Sequence, residues 1–382
     1  MQLIIIGGGI LGTAHAWAAV ERGHHVVHLE RERQARGATV RNFGLVWVSG
    51  RSGPELPAAQ RSRDLWEKIG AVVPDIGFRA CGSMTLVRTA AELAVAEEVC
   101  ARPDAADRGF TLLDPDAVRS VNPALRGEFL AGLHCSRDGA VESRVALPAI
   151  RAHLASTGRY EFVAGHEVRA IFSASGVTVA DDHGVTYHGD AVIHCPGAVH
   201  GGLTRELAGD ALPVRRVRLQ MMQTAPLDEQ LTTAIADADS FRYYPAFAGE
   251  SLTNLNSAQP QPDTAATHRM QLLCVQRLHG GLTIGDTHEY DDELAEHDEA
   301  FAFDVTEDPY DHLTGVVAEL LGRPLPRVVR RWAGVYSQCL APDALAFRRE
   351  VADNIWIVTG PGGRGMTLGP QIGQDTADLM NL

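Results

Sequence analysis

The first thirty residues constrain this chain more than any other stretch. Gln2–Leu3–Ile4–Ile5–Ile6 is a short apolar, β-branched run of the kind buried inside a parallel sheet. Gly7-Gly8-Gly9-Ile10-Leu11-Gly12 follows at once, the alanine-rich stretch Thr13–Arg22 reads as a helix stopped at Gly23, and His25–Val26–Val27–His28–Leu29–Glu30 reads as a second strand closing on an acid. Strand, glycine turn, helix and second strand in this order form a βαβ dinucleotide-binding unit. Gly7 makes the tight turn, Gly9 lets the backbone approach a pyrophosphate, and Gly12 lets helix and strand pack closely. The helix start offers Ile10, Leu11 and their neighbours' free N–H groups, with a positive dipole end, to the phosphates. Glu30 stands where a carboxylate accepts hydrogen bonds from a ribose diol, which disfavours a 2′-phosphate and hence NADP. The choice between NAD and FAD rests on the rest of the chain.

Composition narrows the function. The 382 residues suffice for two units around substantial cores. A net charge of −14 argues against nucleic acid or an anionic membrane as partner, so an anionic substrate would need a local cluster of arginines. The six cysteines are far apart and never spaced C-x-x-C, which points to reduced thiols and not to zinc or a disulfide framework. The sixteen histidines show no metal-binding spacing, and no metal is expected. No basic leader precedes the first strand and no apolar run is long enough to span a membrane, so the expected location is the cytoplasm.

Further along, Arg31–Arg41 is polar and basic and leads into Asn42-Phe43-Gly44-Leu45-Val46-Trp47, a loop able to lie against a bound cofactor. Helices are expected over Leu56–Ile69, Ala90–Cys100, after the N-cap Asp114, and over Leu147–Leu154. Phe78–Val87 reads as a strand pair turning at Gly82. Tyr160–Val163, His166–Ser173, Val177–Asp181 and Val185–His188 are strand-like, and Asp190–Ala198 is a buried strand ending in the Pro196-Gly197 turn. Arg215–Thr224, Met270–Arg277, Leu282–Thr287 and Arg327–Val335 suggest a second sheet, with Pro260–His268 as a surface loop and Glu289–Glu307 as solvated acidic surface. The chain closes with the strand Asn354–Thr359, a glycine-rich loop Gly360–Pro370 and a helix over Asp375–Met380.

This pattern resembles the FAD-dependent D-amino acid oxidase superfamily, which includes glycine and sarcosine oxidases and related amine or 2-hydroxyacid oxidoreductases. The resemblance spans nearly the whole chain and rests on Gly7–Glu30, Arg41–Val46, Asp190–Ala198 and Ile355–Gly373. It implies an α/β fold, a Rossmann-like FAD-binding domain interleaved with an antiparallel-sheet substrate domain (α+β). The FAD-binding part would comprise 1–75, 140–210 and 330–382, and the substrate part 76–139 and 211–329. It also implies that the last glycine loop, Gly362, Gly363, Arg364, Gly365, Met366 and Thr367, wraps the flavin. Val168 would contact the adenine through its backbone, and Cys195-Pro196-Gly197 would occupy the place of a usual Ala-Thr-Gly. Gly7, Gly9, Ile10, Leu11, Gly12, Glu30, Arg31, Asn42, Phe43 and Gly44 complete the expected FAD contacts. Gly37–Gly44 further resembles the branch often encoded beside aminoethylphosphonate degradation genes. Two departures stand out. Tyr336 occupies the place of an arginine that grips substrate carboxylates in many amino-acid oxidases. Cys339 is offset from the cysteine that tethers flavin in sarcosine oxidases, so the FAD is expected to be non-covalent.

The activity implied is oxidation of a carbon–nitrogen bond by hydride transfer to flavin, the imine then hydrolysing. The substrate implied is 2-aminoethylphosphonate or its N-methyl form, otherwise an amino acid such as glycine or sarcosine. Oxygen or another acceptor would take the electrons, and the protein would be a monomer or homodimer. The alternatives are a 2-hydroxyacid or polyol dehydrogenase, a non-catalytic FAD subunit of an electron-transfer complex, and an NAD enzyme. Substrate-positioning candidates are Arg41, Tyr243, Tyr244, Arg277, Tyr336 and Arg364, with His134, Arg242, Arg330 and the Arg215, Arg216, Arg218 cluster behind them. Arg41 and Arg364 form the pair best placed for a phosphonate, both lying on loops expected to flank the flavin.

Overall fold

The structure is a computed structural model that describes residues 1–174, 176–291 and 301–382. The part of the acidic stretch at 292–300 lies outside the described residues. The N-terminal strand Gln2–Ile6 is central in a six-stranded sheet of order Phe347–Ala352, Ile355–Thr359, Ala191–His194, Gln2–Ile6, His25–Glu30, Tyr160–Ala164. Its members run parallel except the edge strand Phe347–Ala352. Leu3 pairs with Val26 on one side and Ala191 on the other. Alternation then divides the strand between two apolar layers. Leu3 and Ile5 pack under helices Ile10–Glu21 and Gly365–Leu379, and Ile4 and Ile6 pack against the small antiparallel sheet Val168–Ala174, Gly176–Asp181, Thr186–Gly189. Burial on both faces is why this strand is apolar at every position from Leu3 to Ile6.

The second sheet carries Val214–Pro226, Gly281–Gly285, Leu273–Gln276, Ala234–Asp237, Ser83–Val87, Ala131–Cys135 and Phe110–Leu113 in that order, with Glu289–Tyr290 at the other edge. It is antiparallel apart from one parallel pair, Ala234–Asp237 beside Ser83–Val87. Val328–Cys339 lies along Val214–Pro226 from Val328 opposite Thr224 to Cys339 opposite Val214. It then hands its end to the first sheet, because the Cys339 N–H donates to the Gly360 carbonyl at 2.9 Å. The two sheets therefore meet where the chain passes between them.

Four elements differ from the sequence reading, the first being Glu289–Tyr290, which pairs with Val217 and Arg218 as an edge strand and is not solvated surface. Phe78–Val87 supplies one strand, Ser83–Val87, while Arg79 bridges to Ala140; Gly82, at φ +66°, turns the chain between them. Pro260–His268 contains the short helix Asp263–Thr267. The closing helix begins at Gly365, ten residues before Asp375, so the glycine-rich segment is mostly a helix start and not a loop. Inside that helix Pro370 cannot donate to the carbonyl four residues back, Met366. The structure supplies another donor: the Trp66 indole Nε1–H reaches the Met366 carbonyl at 2.7 Å. Among the described residues, no helix is long and apolar enough to cross a membrane, and no cluster of three or more His, Cys, Asp or Glu is placed to hold a metal ion. All six cysteines are free thiols.

Candidate active site

One cavity of about 1230 Å³ runs from the first glycine turn to the face of the second sheet. At its first end, Gly7 lies at φ +103°, and a Cβ there would fall 2.2 Å from the Cys195 carbonyl oxygen. A Cβ on Gly12 would fall 1.9 Å from the Gly7 carbonyl oxygen, so the helix touches the turn directly. Gly9 is different: its missing Cβ would meet only Thr39 Oγ1, at 3.4 Å, and the backbone there faces the cavity. The Ile10–Glu21 helix has no side-chain cap from its N-cap residue and no acid in its first turn. Thr39 Oγ1 accepts from the Ile10 N–H at 3.0 Å. Glu30 holds the turn from the end of the neighbouring strand, accepting from Gly8 N–H at 2.5 Å and Glu32 N–H at 2.9 Å. Behind the turn, His28 Nε2 meets the Gly7 carbonyl at 3.0 Å and Nδ1 meets the Tyr160 hydroxyl at 2.9 Å. Burial pushes His28 down to about 3, which keeps it neutral.

Gly7, Gly9, Ile10, Leu11, Gly12, Glu30, Arg31, Val168, Pro196 and Gly197 all border this end. Asn42, Phe43, Gly362, Gly363, Arg364, Gly365, Met366 and Thr367 border the middle, where the closing helix begins. Gly44 does not border the cavity; at φ +70° it packs its backbone against Val141 and the Arg277 guanidinium. Asn42 clips this loop together, donating to the Ala38 and Thr39 carbonyls and accepting from the Gly44 N–H at 2.6 Å.

The far end is walled by Tyr243, Tyr244, Tyr290 and Tyr336 together with Trp47, Arg51, Gln271, Asp286 and His288. Tyr243 stacks on His288 with centroids 4.3 Å apart, and Tyr244 stands edge-on to Tyr243 at 5.0 Å. The Arg51 guanidinium sits 5.3 Å from the Tyr244 ring centre while its Nε donates to the Trp47 carbonyl. Burial pushes the Tyr243, Tyr244 and Tyr336 hydroxyls well above the usual phenol range, so all three are neutral donors. Burial likewise raises Asp286, opposed by the nearby His288.

Several sequence candidates are engaged elsewhere. Arg277 is buried away from the cavity, donating to Thr283 Oγ1 and to the Val141 and Asn42 carbonyls; it braces the Asn42–Gly44 loop and does not meet substrate. Arg364 borders the cavity but is ion-paired with Glu55, which also stands 3.8 Å from Arg51. Burial and the neighbouring Arg51 hold Arg364 down at about 10. Arg41 borders the cavity with one nitrogen donating to the Ala333 carbonyl at 2.9 Å. Arg41 and Arg364 therefore do not form a pair of uncommitted cations. Arg242 is held by Asp239, Asn256 and the Gln259 carbonyl, and His134 and Arg330 lie off the cavity. Arg216 and Arg218 bind Asp291 and Glu289, while Arg215 reaches the cavity beside Gln338.

Sequence reasoning missed Thr39, Arg51, Glu55, Gln271, Asp286 and His288. Thr39 lies within the Gly37–Gly44 segment but was given no role there; the others lie in no recognisable motif. Only the pairing of Leu273–Gln276 with Gly281–Gly285, which sets Gln271 and Asp286 side by side, brings the last group together.

Comparison with known proteins bears on this arrangement. The chain is 28% identical over 260 residues to a glycine oxidase of Geobacillus kaustophilus, covering 62% of this chain and 64% of the relative. It is 22% identical over 237 residues to one subunit of an opine oxidase from Rhizobium meliloti, covering 59% and 63%. These matches thus span slightly less than two thirds of each curated relative. Among solved structures, glycine oxidase from G. kaustophilus superposes with a TM-score of 0.75 at 20% identity, covering 99% of this chain and 94% of that one. L-proline dehydrogenase from P. horikoshii gives 0.77 at 19% identity, covering 99% and 92%. These likenesses show a shared fold. The FAD dependent oxidoreductase (DAO) family matches residues 2–379, and the chain belongs to that family.

Proposed function

We propose that this FAD-dependent oxidoreductase oxidises the carbon–nitrogen bond of a small amine. The observation that carries the reading is the continuity of the cavity: a dinucleotide cradle at one end opens directly into a chamber of neutral phenols and buried polar groups at the other. The residues present fit FAD. The bare backbone at Gly9 leaves room for a pyrophosphate, and the helix start supplies N–H donors to it. Each Glu30 oxygen accepts one backbone N–H and keeps a lone pair for a ribose hydroxyl. The segments Arg41–Phe43 and Gly362–Thr367 would flank the ring system. When bound, FAD supplies a two-electron acceptor for the hydride leaving the carbon that bears nitrogen.

The chain's own residues bind and orient the amine. Tyr243, Tyr244 and Tyr336 wall the chamber and limit water, and Arg51 places a cation beside them. Tyr336 leaves no arginine at the place where many amino-acid oxidases grip a carboxylate, so the anion-binding role falls to Arg51 and Arg41. Relatives named for glycine, opine and iminodiacetate oxidation support an amine as substrate. Within that class we propose a small amine carrying an anionic group, with 2-aminoethylphosphonate, its N-methyl form, glycine and sarcosine as the first compounds to test. We further propose that FAD is held non-covalently and that the FAD-binding and substrate-binding parts divide at 1–75, 140–210 and 330–382 against 76–139 and 211–329. Anaerobic addition of each amine to the purified yellow protein tests the function: the visible flavin band bleaches with a substrate. Bleaching by 2-hydroxyacids alone would transfer the assignment to carbon–oxygen oxidation.

A further inference from the structure

Among the described residues, three buried polar atoms of residues that line the chamber have no hydrogen-bond partner: Asp286 Oδ1, Gln271 Oε1 and Trp47 Nε1. Native proteins rarely leave such groups unpaired, and a cluster of them on one cavity marks a place that a polar ligand completes. Their chemistry is directional. Asp286 and Gln271 offer two acceptors, one of them a carboxylate, and so require a ligand rich in donors. Trp47 offers a donor beside Arg51, whose Nε holds the Trp47 carbonyl, and so requires an acceptor. Asp286 is 4% exposed and Gln271 3% exposed, and the two backbones are bonded to each other at 2.9 and 3.3 Å. His288 faces Asp286 with Nε2 4.0 Å from Oδ2, too far for a hydrogen bond.

We infer that Asp286, assisted by Gln271, anchors the cationic nitrogen of the substrate, and that the acceptor-bearing end of the same molecule lies against Trp47 and Arg51. This rests on the reading of the chain as an amine oxidoreductase. An ammonium satisfies both acceptors at once and pairs the buried carboxylate with a charge. The stacked Tyr243–His288 wall beside it presents ring surface, which favours a cation over an anion. A hydroxy acid would bring a single donor and leave the carboxylate unpaired, so the same geometry discriminates against it.

The test uses FAD-loaded protein at neutral pH and tert-butylamine, whose nitrogen-bearing carbon has no hydrogen and is not oxidised. Binding is read by calorimetry and by perturbation of the flavin spectrum, with propionate as the anionic control. Asp286→Asn is expected to weaken tert-butylamine about 10- to 150-fold, the value of a charge-assisted hydrogen bond, and to leave propionate unchanged. Gln271→Met is the second variant, expected to weaken tert-butylamine alone by a smaller factor; it decides the matter if Asp286→Asn fails to retain FAD. Undiminished tert-butylamine binding in both variants, while an amine still bleaches the wild-type flavin, overturns the inference and leaves the amine reading standing. A wild-type flavin that no amine bleaches, with tert-butylamine unbound, overturns the amine reading itself.

Discussion

The Met366 carbonyl provides a test of how the closing helix survives its internal proline. In the helix Gly365–Leu379 the N–H that would close on Met366 belongs to position 370, where proline has none. Trp66 Nε1–H takes that place at 2.7 Å, and Trp66 is fully buried. Trp66→Phe leaves the carbonyl unsatisfied, a loss of about 1–3 kcal/mol, and also empties part of the indole's volume. The volume loss is separable by a double-mutant cycle. Pro370→Ala restores an N–H at position 370, so in that background the Met366 carbonyl keeps a partner after Trp66→Phe. The coupling between the two substitutions is therefore expected at about 1 kcal/mol or more, Trp66→Phe being the milder change in the Pro370→Ala background. The assay is urea unfolding followed by far-ultraviolet circular dichroism at fixed, saturating FAD, because bound cofactor shifts apparent stability. Equal losses in both backgrounds would refute the account of this helix.

Four further outcomes are expected. Gly12→Ala drives a Cβ against the Gly7 carbonyl at 1.9 Å, and overpacking of about 1–3 kcal/mol on the phosphate turn should weaken FAD about 5- to 150-fold, measured by flavin fluorescence titration. Gly315→Ala, on the exposed face of helix Asp308–Leu321 with open space around it, should stabilise the protein by about 0.5–1 kcal/mol in the same unfolding assay. Glu55→Gln leaves Arg51 and Arg364 as buried neighbours without their shared anion; stability should drop by about 3–5 kcal/mol, and inorganic phosphate should restore part of the melting temperature. Burial holds His15 at about 4, His28 at about 3 and His194 at about 4, against 6.5 in the unfolded chain. Below 6.5 the unfolded chain binds protons that the folded one refuses. Stability is then unaffected by these groups above neutral pH and falls as pH drops from 6.5 toward 4, by up to about 1.4 kcal/mol per pH unit for each histidine. Burial raises Asp138, Asp237 and Asp286 and gives the opposite slope, so the check is a His194→Asn variant, whose slope from pH 6.5 to 5 should be shallower than wild type; an unchanged slope would contradict this.

What could be read from the chain was what lies close together in it. The turn Gly7–Gly12, its helix and Glu30 form one contiguous unit, and the bond that closes it, Gly8 N–H to Glu30, spans only 22 residues. The closing helix was misread because local propensity condemns Pro370, and the group that rescues it lies 300 residues away at Trp66. Arg277 and Arg364 have the right residue type in the right neighbourhood, but Glu55, Thr283 and backbone carbonyls had claimed them, and no spacing in the sequence reports such a partner. Asp286 and Gln271 were invisible for the converse reason: each is an ordinary polar residue until the hairpin register sets both on one buried wall with unfilled valences.

The central claim is that the chain presents a small amine to FAD seated between Gly7–Gly12 and Gly362–Thr367. Anaerobic titration of the holoprotein with glycine, sarcosine, 2-aminoethylphosphonate and its N-methyl form, followed by acid release of the cofactor, tests it most directly. The account predicts stoichiometric bleaching of the flavin by at least one of these amines and free FAD in the supernatant. A flavin that these amines leave oxidised while a 2-hydroxyacid or polyol reduces it would contradict the account.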